Sequence, residues 1–163
     1  MHILLPIDGS ERSLDAVHHG LCLVRAGLQA RFLLLNVQEP THLYEVLLLR
    51  DADARTAAAR AAGENALRAA EALLDAAGMD YELEIVTGEP AQQIVEVAER
   101  EACDAIVMGT FGHGALTEAL AGSVSQPVLQ HAAVPVTLVR HAPQEEAPPG
   151  AEPAAAEEPE HAG

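Results

Sequence analysis

The sequence predicts a doubly wound α/β fold built on a five-stranded parallel sheet. Three observations carry the prediction. Short apolar runs alternate with segments of helical periodicity in the order βαβαβαβαβ, the pattern of parallel strands joined by helical crossovers. Most of these runs are apolar without alternation, as strands covered on both faces are. Two of them end in turn-forming residues, Asp8-Gly9-Ser10 and Gly109-Thr110, at the strand ends where such sheets receive ligands.

The first run, His2–Ile7, reads as a buried strand broken by Asp8-Gly9-Ser10, with Ser10 as a helix N-cap. Leu14, Val17, Leu21 and Val24 then recur at spacings of three and four, one face of a helix that Gly27 stops. Arg31–Val37 is a second buried strand. The stretch 38–54, with Pro40 and a Leu-rich patch at Val46–Leu49, reads as a long connection. A long Ala-rich helix follows over Arg55–Ala77, with Leu67, Ala70, Leu74 and Ala77 on one face and Gly78 ending it.

Tyr81–Val86 alternates, placing Tyr81, Leu83 and Ile85 opposite Glu82 and Glu84, which marks an edge strand. Gly88-Glu89-Pro90 opens the next helix, with Pro90 in its first turn and Ile94, Val97 and Ala98 on its buried face. Asp104–Met108 is a fourth strand, Ser125–His131 a last helix, and Val134–Val139 a fifth strand at the other edge. Residues 142–163 hold six Glu and no Lys or Arg among Pro, Ala and Gly. They lack the means to build a core and are expected to be a disordered acidic tail beside a domain over 1–141.

A chain of 163 residues suits one domain with its own core, and with two Phe, two Tyr and no Trp that core is aliphatic. The net charge of −16 argues against nucleic acid or an anionic membrane surface as a partner, since both need clustered cations. No apolar run is long enough to span a bilayer and no leader is visible, so the protein is expected to be cytoplasmic. Cys22 and Cys103 form no CxxC pair and are expected as buried free thiols. His18 and His19 point about 100° apart on a helix and make a poor metal pair. No Ser-His-Asp, HExxH or Cys-His arrangement stands out, so no catalytic residue and no protein metal cluster are assigned.

The chemistry concentrates in Gly109–Ser125, GTFGHGALTEALAGSVS. Gly109, Gly112 and Gly114 follow a strand, and Gly122-Ser123-Val124-Ser125 precedes a helix. Glycines permit positive φ and close approach of the backbone to a ligand. Successive amides before a helix form an anion site, and Ser123 and Ser125 add hydroxyls. An acidic protein would hold a phosphate chain in this way, with the amides at 109, 112 and 122 as its cradle. The segment is neither a Walker A loop nor GxGxxG. Five strands allow an order that begins 2-1-3 or the order 3-2-1-4-5. The second sets strands one and four side by side, so that Asp8-Gly9-Ser10 and Gly109-Thr110 flank one crevice.

The spacing Gly109-x2-Gly112-x9-Gly122-Ser123 resembles the ATP-binding signature of the universal stress protein family. So do Pro6-Ile7-Asp8-Gly9-Ser10, Gly88-Glu89-Pro90, Ile106–Gly109, Gly122–Ser125, His131-Ala132 and Pro135-Val136, in order over about residues 1–140. The resemblance implies a Rossmann-like, adenine nucleotide alpha hydrolase-like sheet of order 3-2-1-4-5. It implies ATP as ligand, with Mg or Mn bound mainly by phosphate oxygens. It also implies a homodimer through Val134–Val139 and a regulatory role in the stress response. Carried over by position, Pro6, Asp8 and Val37 lie against the adenosine, with the Val37 backbone meeting the adenine edge, and Ile7, Thr110 and His113 are further ATP-binding positions. Met108, Gly109 and Gly112 line the ribose and phosphate approach, and Gly122, Ser123, Val124 and Ser125 hold the phosphates. Phe111 stands where a basic or small polar residue is common, with His113 as a partial replacement. Ala133-Val134 replaces a common Pro-Cys. Two alternatives stay open: a slow ATPase or phosphotransferase, with Asp8 or His113 as the nearest candidates, and a nucleotide-free dimeric scaffold.

Overall fold

A parallel sheet with two helices on each face organises the chain. The structure, a computed structural model, describes residues 1–39, 52–110 and 122–140. Its elements are β1 His2–Pro6, α1 Glu11–Arg25, β2 Arg31–Gln38, α2 Ala52–Ala76, β3 Tyr81–Thr87, α3 Pro90–Arg100, β4 Ala105–Gly109, α4 Ser125–His131 and β5 Val136–Val139. The sheet runs β3-β2-β1-β4-β5, parallel throughout. Of the two orders open to five strands, this is the one suggested by the paired turn residues.

Strand alternation sends successive residues to opposite layers. Ile3, Leu5, Ile7, Phe32, Leu34 and Val107 pack under α1 and α2, against Ala16, Val17, Leu67, Ala70 and Leu74. Leu4, Leu33, Leu35, Ile106 and Met108 face α3 and α4, against Ile94, Val97, Ala98 and Val128. Phe32 is the one aromatic side chain among the largest fully buried, and the others are aliphatic. Close approaches are made at glycine: a Cβ on Gly20 would stand 2.9 Å from the Phe32 ring, and one on Gly63 would stand 2.6 Å from Ile85 Cγ2.

The helix signals act as expected. Ser10 accepts the Ser13 N–H, Pro90 stands in the first turn of α3, and Gly27 and Gly78 leave their helices at φ 106° and 65°. Boundaries move where a local bond decides them. β1 stops at Pro6 rather than Ile7, because the Ile7 carbonyl is taken by the Asn36 side chain at 2.7 Å. β2 continues to Gln38, whose carbonyl accepts the Gly88 N–H. β4 begins at Ala105 rather than Asp104, and the Asp104 carboxylate caps the His2 N–H at 2.7 Å. β5 begins at Val136 rather than Val134, after Pro135, which has no N–H to give. α2 starts at Ala52, inside the stretch read as a connection, and Ala77 lies beyond its end and is exposed.

Two burial expectations fail. Cys22 is exposed, because the inner face of α1 is Ser13, Ala16, Val17, Gly20 and Leu21, with Leu14 and Val24 at its margins. Leu83 is 47% exposed although Tyr81 and Ile85 pack on the core, since β3 is an edge strand and α2 lies mainly over β2. The Leu-rich patch at 46–49 and the acidic tail lie outside the described residues.

Candidate functional site

Strand order reverses between β1 and β4. α1 leaves toward one face of the sheet and α3 and α4 cover the other, so the carboxyl ends of the strands open into a cleft of about 700 Å³. That volume suits a nucleotide-sized ligand. Four stretches of chain converge on it. The end of β1 contributes Pro6, Ile7 and Asp8, and the end of β2 contributes Leu35–Glu39, including Val37. The end of β4 contributes Met108, Gly109 and Thr110, and the turn before α4 contributes Gly122, Ser123, Val124 and Ser125. Every described residue that the sequence marked for the site therefore lines one cavity. Gly112 and His113, with Phe111 between the loop glycines, lie outside the described residues.

The wall at β1 is a self-bonded turn. Asp8 Oδ1 accepts the Ser10 N–H at 2.9 Å and the Ser10 hydroxyl at 2.6 Å. Ser10 Oγ in turn accepts the Ser13 N–H, and the Ser13 hydroxyl donates to the Ser10 carbonyl. Gly9 takes φ 84°, and a Cβ there would stand 3.3 Å from Ala66 of α2. Asp8 thus shapes the turn that presents it, while its side chain stays exposed at the cleft.

At the opposite wall the expectation of a free amide cradle needs correction. Gly122 N–H is already paired, donating to Thr110 O at 3.0 Å and to Ser125 Oγ at 2.7 Å. Gly109 belongs to the β4 ladder, and its missing side chain admits α1. A Cβ there would stand 2.6 Å from the Arg12 carbonyl oxygen. Neither glycine has positive φ. These two glycines bring β4, α1 and the α4 turn together, and of the two serines of that turn Ser123 is exposed at the cleft while Ser125 is buried.

The cleft is poor in positive charge. No Lys or Arg is among the described residues lining it, while Asp8 and Glu39 are. The N-terminus of α3 is closed by its own cap, Glu89, whose carboxylate accepts the Ala91 and Gln92 N–H groups at 3.2 and 2.7 Å. No group of three metal-ligating side chains occurs among the described residues.

Several lining residues were missed from the sequence: Ser10, Ser13, Leu35, Asn36, Gln38, Glu39, Pro90 and Ile94. Asn36 carried a legible signal, a lone amide closing the apolar run RFLLL. It is 2% exposed and donates to the Ile7 carbonyl, while Gln38 Nε2 donates to its Oδ1 at 2.5 Å.

The model of the Universal stress protein family matches residues 1–140. The universal stress protein MJ0531 of Methanocaldococcus jannaschii is 30% identical over 138 residues, covering 85% of this chain and 81% of that protein. Among solved structures, MJ0577 is similar at TM-score 0.71 and 27% identity, over 88% of this chain and 97% of its own. MJ0577 comes from the same organism. Two more distant structures share the fold. One is a universal stress protein in complex with cAMP (24% identity, TM-score 0.61), covering 87% of this chain and 98% of its own. The other is an Arabidopsis thaliana family member with AMP bound (20%, 0.65), covering 88% and 93%. The strand order, the cleft where it reverses and a match across nearly the whole described chain make this protein a member of the universal stress protein family.

Proposed function

We propose that the cleft binds ATP with Mg or Mn, and that the protein is a cytoplasmic, nucleotide-responsive regulator in the stress response rather than a rapid enzyme. The observation that carries the reading is convergence. Residues expected at the nucleotide (Pro6, Ile7, Asp8, Val37, Met108–Thr110, Gly122–Ser125) come from four chain segments and meet in one cavity. The cAMP- and AMP-bound relatives support it at the level of the fold, which accommodates adenine nucleotides at this architecture. With Asp8 and Glu39 in the cleft and no Lys or Arg among its described lining residues, a divalent ion supplies the charge neutralisation that a triphosphate needs. Labelled ATP is expected to bind saturably, and at least about tenfold more tightly with Mg than with EDTA, about 1.4 kcal/mol. No saturable binding at millimolar ATP would end the proposal.

One observation favours a second reading. Gly109 and Gly122 are explained by packing and internal pairing alone, as a nucleotide-free dimeric scaffold would require. The same titration separates the two.

A further inference from the structure

Resting on the nucleotide reading, we infer that Asn36 is a positioning residue: its side chain replaces the last rung of the β1–β2 ladder and so releases the Val37 peptide group to read the edge of a base.

The register of the sheet carries this. In β2 the odd-numbered residues direct their N–H and C=O groups toward β1. Arg31 N–H donates to Met1 O at 2.9 Å, and Leu35 O accepts the Ile7 N–H at 2.8 Å. The even-numbered residues face β3. Phe32 N–H donates to Asp80 O, and Gln38 O accepts the Gly88 N–H. A parallel ladder advances two residues per rung, so the next bond would run from Val37 N–H to Ile7 O. That bond is absent among the described residues. Ile7 O instead accepts Asn36 Nδ2–H at 2.7 Å. Gln38 Nε2, bonded to Asn36 Oδ1, fixes the orientation of the amide.

Val37 is left with N–H and C=O directed to the side that β1 has just vacated, at the cleft wall formed by Ile7 and Val37. An adjacent peptide donor and acceptor complement adenine, whose N1 accepts and whose 6-amino group donates. Hypoxanthine presents the reverse pattern, N1–H beside a 6-oxo group. Removing the Asn36 donor would let Ile7 O recapture the Val37 N–H, which extends the ladder by one rung and removes the base-reading donor.

Amide exchange on the full chain, measured by NMR, tests the device directly. Without nucleotide, Val37 N–H is expected to exchange at least about a hundredfold faster than Leu35 N–H, and to become protected when ATP is added. Asn36→Leu is expected to protect Val37 without ligand, weaken ATP about tenfold and collapse the preference for ATP over ITP. Asn36→His carries a donor at the same branch position and is expected to restore both the free Val37 amide and the preference. The inference falls if wild-type Val37 is as protected as Leu35 before nucleotide is added, or if folded Asn36→Leu keeps the ATP/ITP ratio. Should Asn36→Leu not fold, the wild-type exchange comparison and Asn36→His decide the matter. A wild type that binds no ATP ends the nucleotide reading, and Val37 exchange still reports separately on the missing rung.

Discussion

Cys22 and Cys103 stand in similarly apolar stretches, and the fold gives them opposite settings. Cys22 is exposed on the outer side of α1, whereas Cys103 is 4% exposed and its sulfur lies 3.9 Å from His2 Nδ1. Burial first, then the charges of Glu101 and Asp104, push the Cys103 thiol from 9.0 to about 11. One thiol is therefore expected to react rapidly with an aromatic disulfide reagent in the native protein, and both in denaturant. Two rapid thiols in the native state would contradict the burial. The pH dependence has a definite sign. The unfolded thiol loses its proton before the folded one, so Cys103 contributes its stability below pH 9.0 and loses it as pH rises toward about 11. Denaturant melts from pH 9 to 10 stay below most of the titration of Tyr81, which burial and then Asp75 and Glu71 raise from 10.0 to about 12. Over that interval Cys103→Ala is expected to flatten the fall in stability. The outward setting of Cys22 was legible in the helical spacing rather than in the apolar stretch, because Cys22 stands about 100° from Leu21, off the face marked by Leu14, Val17, Leu21 and Val24.

At the scale of elements, the helix starts and stops were legible because they depend on local chemistry. Ser10, Pro90, Gly27 and Gly78 each act within one turn of their own backbone. The strand ends were less legible because a strand ends where its neighbour stops bonding, as at Ile7 and Asp104. The glycines of the site belong to this scale as well. Gly109 is read in sequence as a ligand glycine, yet its neighbour is the Arg12 carbonyl on the first turn of α1. Gly109→Ala is expected to destabilise the protein by about 1–3 kcal/mol in denaturant melts without nucleotide, the usual cost of overpacking. Unchanged stability with loss of ATP binding would return Gly109 to a purely ligand-facing role.

For the whole molecule, the sheet leaves β3 and β5 as its edges among the described residues. β3 carries Glu82 and Glu84, which pair with Arg31 and Arg100. β5 is short and uncharged, and its Val136 and Leu138 pack only partly on the core. An apolar edge is a template for pairing, and a homodimer through β5 and the preceding Val134-Pro135 is the expected assembly. Light scattering should give twice the chain mass for wild type and a monomer for Val136→Lys or Leu138→Lys. A wild-type monomer, or variants that stay dimeric, would reject that interface. No helix among the described residues is long and apolar enough to cross a membrane.

By itself the sequence determined the alternation of strands and helices, the caps that bound the helices and the family motifs at 6–10, 88–90 and 109–125, all of which depend on residue type and short spacing. Only the tertiary structure decided that the ends of β1, β2 and β4 and the turn before α4 share one cleft, that Gly122 is paired internally and that Asn36 stands in for a ladder bond. These are contacts between residues far apart in the chain. Their partners are chosen by strand register and helix packing, which local patterns constrain but do not specify.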